Sequence, residues 1–307
     1  MIKDIHFINV AKKNKIPRID CFFNDKDSAK TTKVKAAISN KSLHYESFGD
    51  IHFSSRDYKD YLIGLNKKLF ELKNSKAFVF IDPYEYKHVK ISHIQELMAN
   101  SNTEVLLWLP TQFMYRFETN GTPTALKDFI EELVPYDKWD SSNSIWVFVE
   151  QLKQGFQNAM GSGFFVDHFT LQKDKNAVFC LFFFTSHIRG FEKMLESKWK
   201  IDTEQGKGWN YNSGQQSLFS DQKTNVLEEN LIFFMDKTPR VNGEVYEFTL
   251  RQGFLPKHTN EILYNWQQSK RIDVLLTDGT KARNKAFYIS YSNYKKSYSK
   301  VSFKIKS

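Results

Sequence analysis

The sequence predicts an α/β protein with two domains. The first is a sheet of mainly parallel strands with helices, and the second, which follows it in the chain, is a small basic winged helix. Apolar strand-like runs alternate with amphipathic helix-like runs through the first half of the chain, which is typical of a parallel sheet covered by helices. Two later apolar runs lie so close together that they can only form an antiparallel hairpin. The last segment has the helix, helix, strand, turn, strand order of a winged helix.

The elements of the first domain follow from hydrophobic periodicity. Strands are predicted at 19–23, 43–48, 77–81 and 103–109. Helices are predicted at 5–13, 28–39, 55–72 and 91–99, with a helical insertion at 111–160.

The runs "GFFVDHFTLQ" and "AVFCLFFFTS" are separated only by residues 173–176. Asp174 and Asn176 supply turn geometry, so the two runs are predicted to pair as a hairpin. A parallel sheet that ends in an antiparallel hairpin is the arrangement of a class I methyltransferase-like (Rossmann-like) sheet. A helix at 190–199 completes this predicted domain, which spans 1–205.

A polar segment at 201–225, rich in Gly, Ser, Asn and Gln, is the best linker candidate. The second predicted domain spans 226–307. Pro256 fits the first turn of a helix that has Ile262, Leu263 and Trp266 on one face. Two strands are then predicted in "RIDVLLTDGTKARNKAFYISY", around a turn at residues 278–279.

The positive charge is confined to this second domain. The chain has a net charge of +9, and residues 251–307 hold 12 Lys and Arg against three acids, 12 − 3 = +9, which leaves the rest neutral. A localised basic field predicts a polyanionic partner such as nucleic acid; the alternative is a solubilising lysine-rich surface. The residues predicted to contact nucleic acid are Lys257, His258, Asn260, Arg271, Lys281, Arg283 and Lys285.

Several classes of site have no candidate residues. The two cysteines, Cys21 and Cys180, lie in separate apolar runs, so neither a disulfide framework nor a metal site is predicted. No segment has the roughly 18 uncharged apolar residues of a membrane span, and none resembles a signal peptide. We therefore expect a cytoplasmic protein without a membrane partner.

Candidate catalytic residues follow the strand at 77–81, where Asp82, Pro83 and Tyr84 stand. Ligands of open parallel sheets bind beyond the carboxyl ends of the strands. An acid, a proline and an aromatic ring at that point suit a methyltransferase acting on an exocyclic amine; the alternative is an ordinary turn. Asp25 and Asp50 are candidates for binding the cofactor, S-adenosylmethionine, with a helix N-terminus and a turn as their alternatives.

One part of a methyltransferase is missing from the sequence. No glycine precedes Ile19, so neither a first strand nor the glycine-rich loop that lets backbone approach the cofactor is predicted. Binding of S-adenosylmethionine by the chain alone is therefore doubtful, and a degenerate or split enzyme is expected.

Three segments carry a family resemblance: "FVFIDPYEYKHVKISHIQELMANSNTEVLLWLPTQFMYRF" (78–117), "LFFFTSHIRGFEKMLESKWKID" (181–202) and "FLPKHTNEILYNW" (254–266). With them the chain resembles the three-Cys-motif partner protein family (TcmP). The resemblance implies a methyltransferase-like domain joined to a winged helix, acting beside a radical enzyme that carries three cysteines. It places the family's Asp-Pro-aromatic motif on Asp82, Pro83 and Tyr84, and its His/Asn-x-x-Gly segment on 187–190.

Three functional hypotheses remain open. The first is a methyltransferase-like pseudoenzyme, or half of a split enzyme, that binds nucleic acid within a multiprotein system, for which antiviral defence is one interpretation. The second is an active amino-methyltransferase that uses Asp82, Pro83 and Tyr84. The third is a non-catalytic subunit that binds another protein.

Overall fold

The structure is a computed structural model that describes residues 18–71, 75–83, 89–118, 124–134, 144–174, 176–210 and 225–306. The chain divides into two compact units, 1–75 and 76–307.

The first unit contains two β-α pairs: β1 (Cys21–Asn24), α1 (Ser28–Asn40), β2 (Ile51–Ser54) and α2 (Tyr58–Glu71). β1 and β2 are parallel neighbours and form a sheet of their own. The carboxylate of Asp27 accepts a hydrogen bond from the Ala29 N–H at 2.8 Å, which explains why α1 begins where it does.

The strand predicted at 43–48 is wrong. A 3₁₀ turn (Glu46–Phe48) occupies its end, and the strand begins only at Ile51. Gly49 has a φ of +137°, and a Cβ there would lie 2.2 Å from the carbonyl oxygen of Ile19. Only glycine permits this close approach of two backbones, and the extended conformation starts after it.

The second unit is built on one mixed sheet. Its strands are β3 (Ala77–Ile81), β4 (Thr103–Leu109), β5 (Phe165–Asp174), β6 (Ala177–Thr185) and β7 (Gly208–Asn210), in the order β3-β4-β6-β5-β7. β3 and β4 are parallel, whereas β6 is antiparallel to both β4 and β5. The predicted hairpin and the strands at 77–81 and 103–109 are confirmed. The Rossmann-like sheet is not confirmed, because β1 and β2 belong to a separate sheet.

Helices cover this sheet. They are α3 (Ile91–Met98), α4 (Thr111–Glu118), α5 (Thr124–Leu133), α6 (Ile145–Met160) and α7 (Ile188–Ile201). α4, α5 and α6 confirm that the described part of 111–160 is helical. The helix predicted at 5–13 lies outside the described residues.

The C-terminal part has the architecture of a winged helix. Its elements are α8 (Asn225–Met235), β8 (Arg240–Val241), α9 (Asn242–Arg251), α10 (Pro256–Gln268), β9 (Ile272–Leu276), α11 (Tyr291–Lys296) and β10 (Val301–Ile305). β10 lies between β8 and β9 and is antiparallel to both. We call residues 277–300, which join β9 to β10, the wing.

The turn predicted at residues 278–279 is confirmed, but the strand predicted after it is wrong. Directly after the turn, one isolated bridge joins Leu275 and Lys281. The chain then leaves β9, and the strand that pairs with β9 is β10. Lys285 and Tyr288 adopt positive φ values of 63° and 55°, which interrupts an extended conformation between them.

A continuous apolar core joins the winged helix to the sheet. It contains Phe183 of β6 and Leu195 of α7 together with Leu263 and Phe303 of the winged helix. Polar contacts reinforce it, since the Trp199 Nε1–H donates to the Gly253 carbonyl at 2.9 Å. The predicted linker lies largely outside the described residues, and the predicted domain boundary stays a prediction.

Gly155 provides a test of packing within the second unit. A Cβ at this position in α6 would lie 2.4 Å from the carbonyl oxygen of Leu133, so Gly155→Ala should lower stability by roughly 1–3 kcal/mol through overpacking. Gly64→Ala in α2 is the matched control, because no atom lies within 4 Å of its added Cβ and alanine favours a helix by up to about 1 kcal/mol. Thermal unfolding measures both, and equal effects of the two substitutions would contradict the packing.

Candidate functional site

Helix α10 occupies the position of a recognition helix. Pro256 stands at its first turn, and its inner face buries Ile262, Leu263 and Trp266 against the core. The hydroxyl groups of Thr249 and Thr259 are 2.7 Å apart and connect α9 to α10. The opposite face of α10 is therefore held in a fixed orientation toward solvent.

The wing is fixed by one buried side chain, that of Asn242. Asn242 has no exposed surface. Its Nδ2 donates to the carbonyl oxygens of Ser297 at 3.0 Å and Tyr288 at 3.4 Å. Its Oδ1 accepts from the backbone N–H groups of Lys300 at 2.8 Å and Val301 at 3.2 Å. One amide thus binds the middle of the wing, at Tyr288, and its end, at Ser297 and Lys300.

An open groove of about 750 Å³ lies between α10 and the wing. Asn260 and Tyr264 line it from the helix, and Arg283, Lys285 and Asn293 line it from the wing. The ammonium of Lys285 lies 4.1 Å from the ring centroid of Tyr264. The groove therefore combines cations, amides and an aromatic ring, the groups that contact phosphates and bases.

The structure brings together only some of the residues predicted to contact nucleic acid. Asn260, Arg283 and Lys285 line the groove, and Lys257 is exposed on the first turn of α10. Lys281 is exposed on the wing, 4.0 Å from a carboxylate oxygen of Asp273.

Arg271 and His258 have partners inside the domain. The guanidinium of Arg271 lies 3.7 Å from the Glu228 carboxylate and over the Trp266 ring. His258 is buried, its ring centroid is 4.3 Å from that of Trp199, and its Nδ1 accepts the Leu255 N–H at 3.1 Å. His258 thus satisfies a backbone donor at the start of α10, which is a packing position and not a groove position.

The predicted catalytic triplet lies at the end of β3. Asp82 is exposed and Pro83 is half-buried, directly after the last residue of the strand. Tyr84 lies outside the described residues. The strand-end position of Asp82 agrees with the sequence, and its catalytic role stays a prediction.

The two cofactor candidates lie in the first unit and have local partners there. Asp25 follows β1, accepts the Asp27 N–H at 2.9 Å and lies 3.4 Å from the Lys30 ammonium. Asp50 precedes β2 instead of following a strand, and Arg18 binds its carboxylate at 2.8 Å. The contacts of Asp25 correspond to its alternative role at a helix N-terminus, and those of Asp50 to its alternative role in a turn. S-adenosylmethionine binding by these residues stays a prediction.

A buried charged cluster on β5 was not predicted. Asp167 and Lys198 are each 3% exposed and form an ion pair. The Lys153 ammonium lies 3.9 Å from the other oxygen of Asp167 and 3.4 Å from Glu150. His168 stands between two carboxylates, with Nε2 at 3.9 Å from Glu150 and Nδ1 at 4.0 Å from Asp167. Nδ1 has no hydrogen-bond partner among the described residues.

The cluster sets its own protonation states. Burial alone would raise the pKa of Asp167, but Lys198 and Lys153 outweigh it and lower the pKa to about 2. Burial, together with Lys198, lowers the pKa of His168 to about 4 in spite of the two carboxylates. At neutral pH the cluster therefore holds an ionised Asp167 and a neutral imidazole, which offers one donor and one acceptor.

A signal for this cluster was present in the sequence. Asp167 and His168 stand between the apolar residues Phe165, Val166 and Phe169 of β5, and Lys198 follows Phe191 and Leu195 at helical spacing on the buried face of α7. Charged side chains at core positions are expensive and often mark functional sites.

The comparisons with known proteins support the winged helix. A family model described as a GMT-like wHTH domain matches residues 202–279. No curated protein matches the chain, and no solved structure does. The resemblance to the three-Cys-motif partner family finds no support in these comparisons.

Two further findings concern only the residues that the structure describes. None of their helices is long and apolar enough to cross a membrane. Nor do three or more of their His, Cys, Asp or Glu side chains gather where a metal ion could be held.

His168 should make the stability of the protein depend on pH. Its folded-state pKa of about 4 lies below the ordinary value of 6.5, so the unfolded chain binds more protons between these values. The stabilisation is complete above about pH 6.5 and is lost as the pH falls toward 4. Between pH 7 and pH 5, the wild type should lose about 2 kcal/mol more stability than His168→Phe.

Urea unfolding at the two pH values measures this difference. His187→Phe, at an exposed position, is the control for the removal of an imidazole. The same pH dependence in His168→Phe as in the wild type would contradict a buried neutral imidazole.

Proposed function

We propose that the protein binds nucleic acid through its winged helix, with α10 and the wing as the contact surface. The observation that carries the proposal is the groove between α10 and the wing, which places Arg283 and Lys285 opposite Asn260. The match to a winged-helix family model supports the same role. Winged helices insert a recognition helix into the major groove while the wing follows the backbone.

The charge distribution agrees with this geometry. The basic residues of the contact surface are all exposed: Lys257, Lys281, Arg283 and Lys285. Residues 251–307 contain only three acids. Glu261 lines the groove beside Asn260 and would repel a phosphate at that point. We therefore expect phosphate contacts from the wing and the first turn of α10, and base or sugar contacts from Asn260.

A second candidate is a methyltransferase-related activity. The observation in its favour is Asp82, exposed at the carboxyl end of β3. The local partners of Asp25 and Asp50 are not in its favour. Calorimetric titration with S-adenosylmethionine tests it, and the absence of heat at millimolar cofactor would exclude methyl transfer by this chain alone.

The double variant Lys257→Gln/Arg283→Gln tests the proposed contact surface. Neither side chain has a hydrogen bond or ion pair to another described residue, so both changes should leave folding intact. Removing two phosphate contacts should weaken binding to a duplex by a similar factor for all sequences. It should also make the plot of log K against log salt less steep, with the magnitude of its negative slope smaller by about two. Fluorescence anisotropy with a labelled duplex at several salt concentrations measures this.

The control is Lys193→Gln/Lys200→Gln on α7, which removes the same charge from exposed positions outside the winged helix. This variant should bind like the wild type. Equal losses in both variants would show that net charge, and not the groove, governs binding. A wild-type affinity that does not change with salt would refute the proposal.

A further inference from the structure

The charged cluster on β5 opens into a cavity of about 770 Å³. Helices α6 and α7, strand β5, the loop before β7 and the turn between α9 and α10 enclose it. Its volume is in the range of small-molecule sites, roughly 300–1,000 Å³. In the sheet order, β4 and β6 separate β5 from β3, so this cavity is distinct from the strand end that carries Asp82. It is also distinct from the groove beside the wing.

The floor of the cavity is polar although it is buried. β5 presents Asp167 toward Lys198 of α7 and His168 toward Glu150 of α6, because neighbouring strand residues point to opposite faces. Lys153 of α6 reaches Asp167 around the edge of the strand. Such a network is costly to bury, and a packed apolar core would serve stability equally well.

The imidazole of His168 lacks a partner for at least one nitrogen. It is 5% exposed and lines the cavity, its distances to both carboxylates are too long for hydrogen bonds, and its Nδ1 has no partner among the described residues. Buried polar groups are normally satisfied. Because Nδ1 is shielded from solvent, a ligand in the cavity would pair its hydroxyl or amine group with Nε2, which lies 3.9 Å from the Glu150 carboxylate.

The walls indicate the rest of the ligand. The lining holds the cations Lys153, Lys198, Lys207 and Arg251 and the carboxylates of Glu150, Asp167 and Glu204. Lys198 is paired with Asp167, and Arg251 with Glu247 outside the lining, which leaves Lys153 and Lys207 as the cations that would meet a ligand. Lys207 is exposed at the mouth, and the half-exposed Glu150 accepts a hydrogen bond from the Lys153 ammonium at 3.4 Å. Phe254 and Val226 add an apolar wall, and Val226 is 63% exposed. An anionic group, a hydrogen-bond donor and a flat apolar part are therefore accommodated together.

We propose that this cavity binds a nucleoside monophosphate. Lys153 and Lys207 hold its phosphate, His168 pairs with a hydroxyl or amine group, and the base lies against Phe254. The ligand is either a free nucleotide or the 5′-phosphorylated end of a strand.

Calorimetric titration of the full chain with AMP, GMP, CMP and UMP tests the proposal, with the four nucleosides and inorganic phosphate titrated in parallel. At least one monophosphate should bind at least tenfold more tightly than both its nucleoside and phosphate. A 5′-phosphorylated trinucleotide distinguishes the sources, since tighter binding of the trinucleotide assigns the site to a strand end and tighter binding of the monophosphate to a free nucleotide. Binding of neither would overturn the proposal.

Variants locate the bound nucleotide. Lys153→Met and His168→Phe should each weaken binding at least tenfold, whereas Lys193→Met, on the exposed face of α7, should not. Lys207→Gln changes only a residue at the exposed mouth, so it should fold even if the buried variants do not, and it should also weaken nucleotide binding. Lys257→Gln/Arg283→Gln should retain the nucleotide. Loss of binding in this double variant, with no loss in Lys207→Gln, would place the nucleotide at the wing and refute the assignment.

Discussion

The side chain of Asn242 is the contact on which the winged helix depends. It stands where β8 becomes α9, and its amide satisfies carbonyl and N–H groups from two separate places in the wing. A fully buried amide with every group paired fixes one position of the wing. Any shift of the wing would leave the amide unpaired, at a cost of about 1–3 kcal/mol. The next residue, Gly243, leaves room for the Tyr298 ring, which a Cβ would meet at 2.3 Å. The groove exists because these two residues hold the wing beside α10.

The winged helix is also part of a larger body. Trp199 of α7 reaches the turn between α9 and α10, and Arg251 of α9 reaches back to the carbonyl oxygens of Ser162 and Phe164 at 2.8 and 3.2 Å. The guanidinium also covers the Phe165 ring. The cavity beside β5 results from this junction, because residues of both parts form its walls. A ligand bound there would contact the sheet and the winged helix at once.

Much of this fold could be predicted from local patterns, and the exceptions have physical causes. β3, β4 and the hairpin of β5 and β6 are continuous apolar runs, which hydrophobic periodicity identifies well. β10 was missed as the partner of β9, because the wing separates them and a long connection leaves no local signal. The strand predicted at 43–48 failed because Gly49 makes a tight backbone approach to Ile19, a contact distant in sequence. The surface proposed to contact nucleic acid was predicted from charge, whereas Asn242 and the cluster of Asp167, His168 and Lys198 depend on side chains that meet only after folding.

The side chain of Gln157 has a protective consequence for β5. Within the described residues, β7 pairs only with Thr170–Gln172, which leaves the start of β5 without a neighbouring strand there. Gln157 donates to the carbonyl oxygens of Gly161 and Phe164 at 2.9 and 3.0 Å and accepts the Val166 N–H at 3.1 Å. Its amide thus takes the place of a peptide group of an adjacent strand. These backbone groups are therefore not available to pair with the strand of another chain, which is how edge-to-edge aggregation begins.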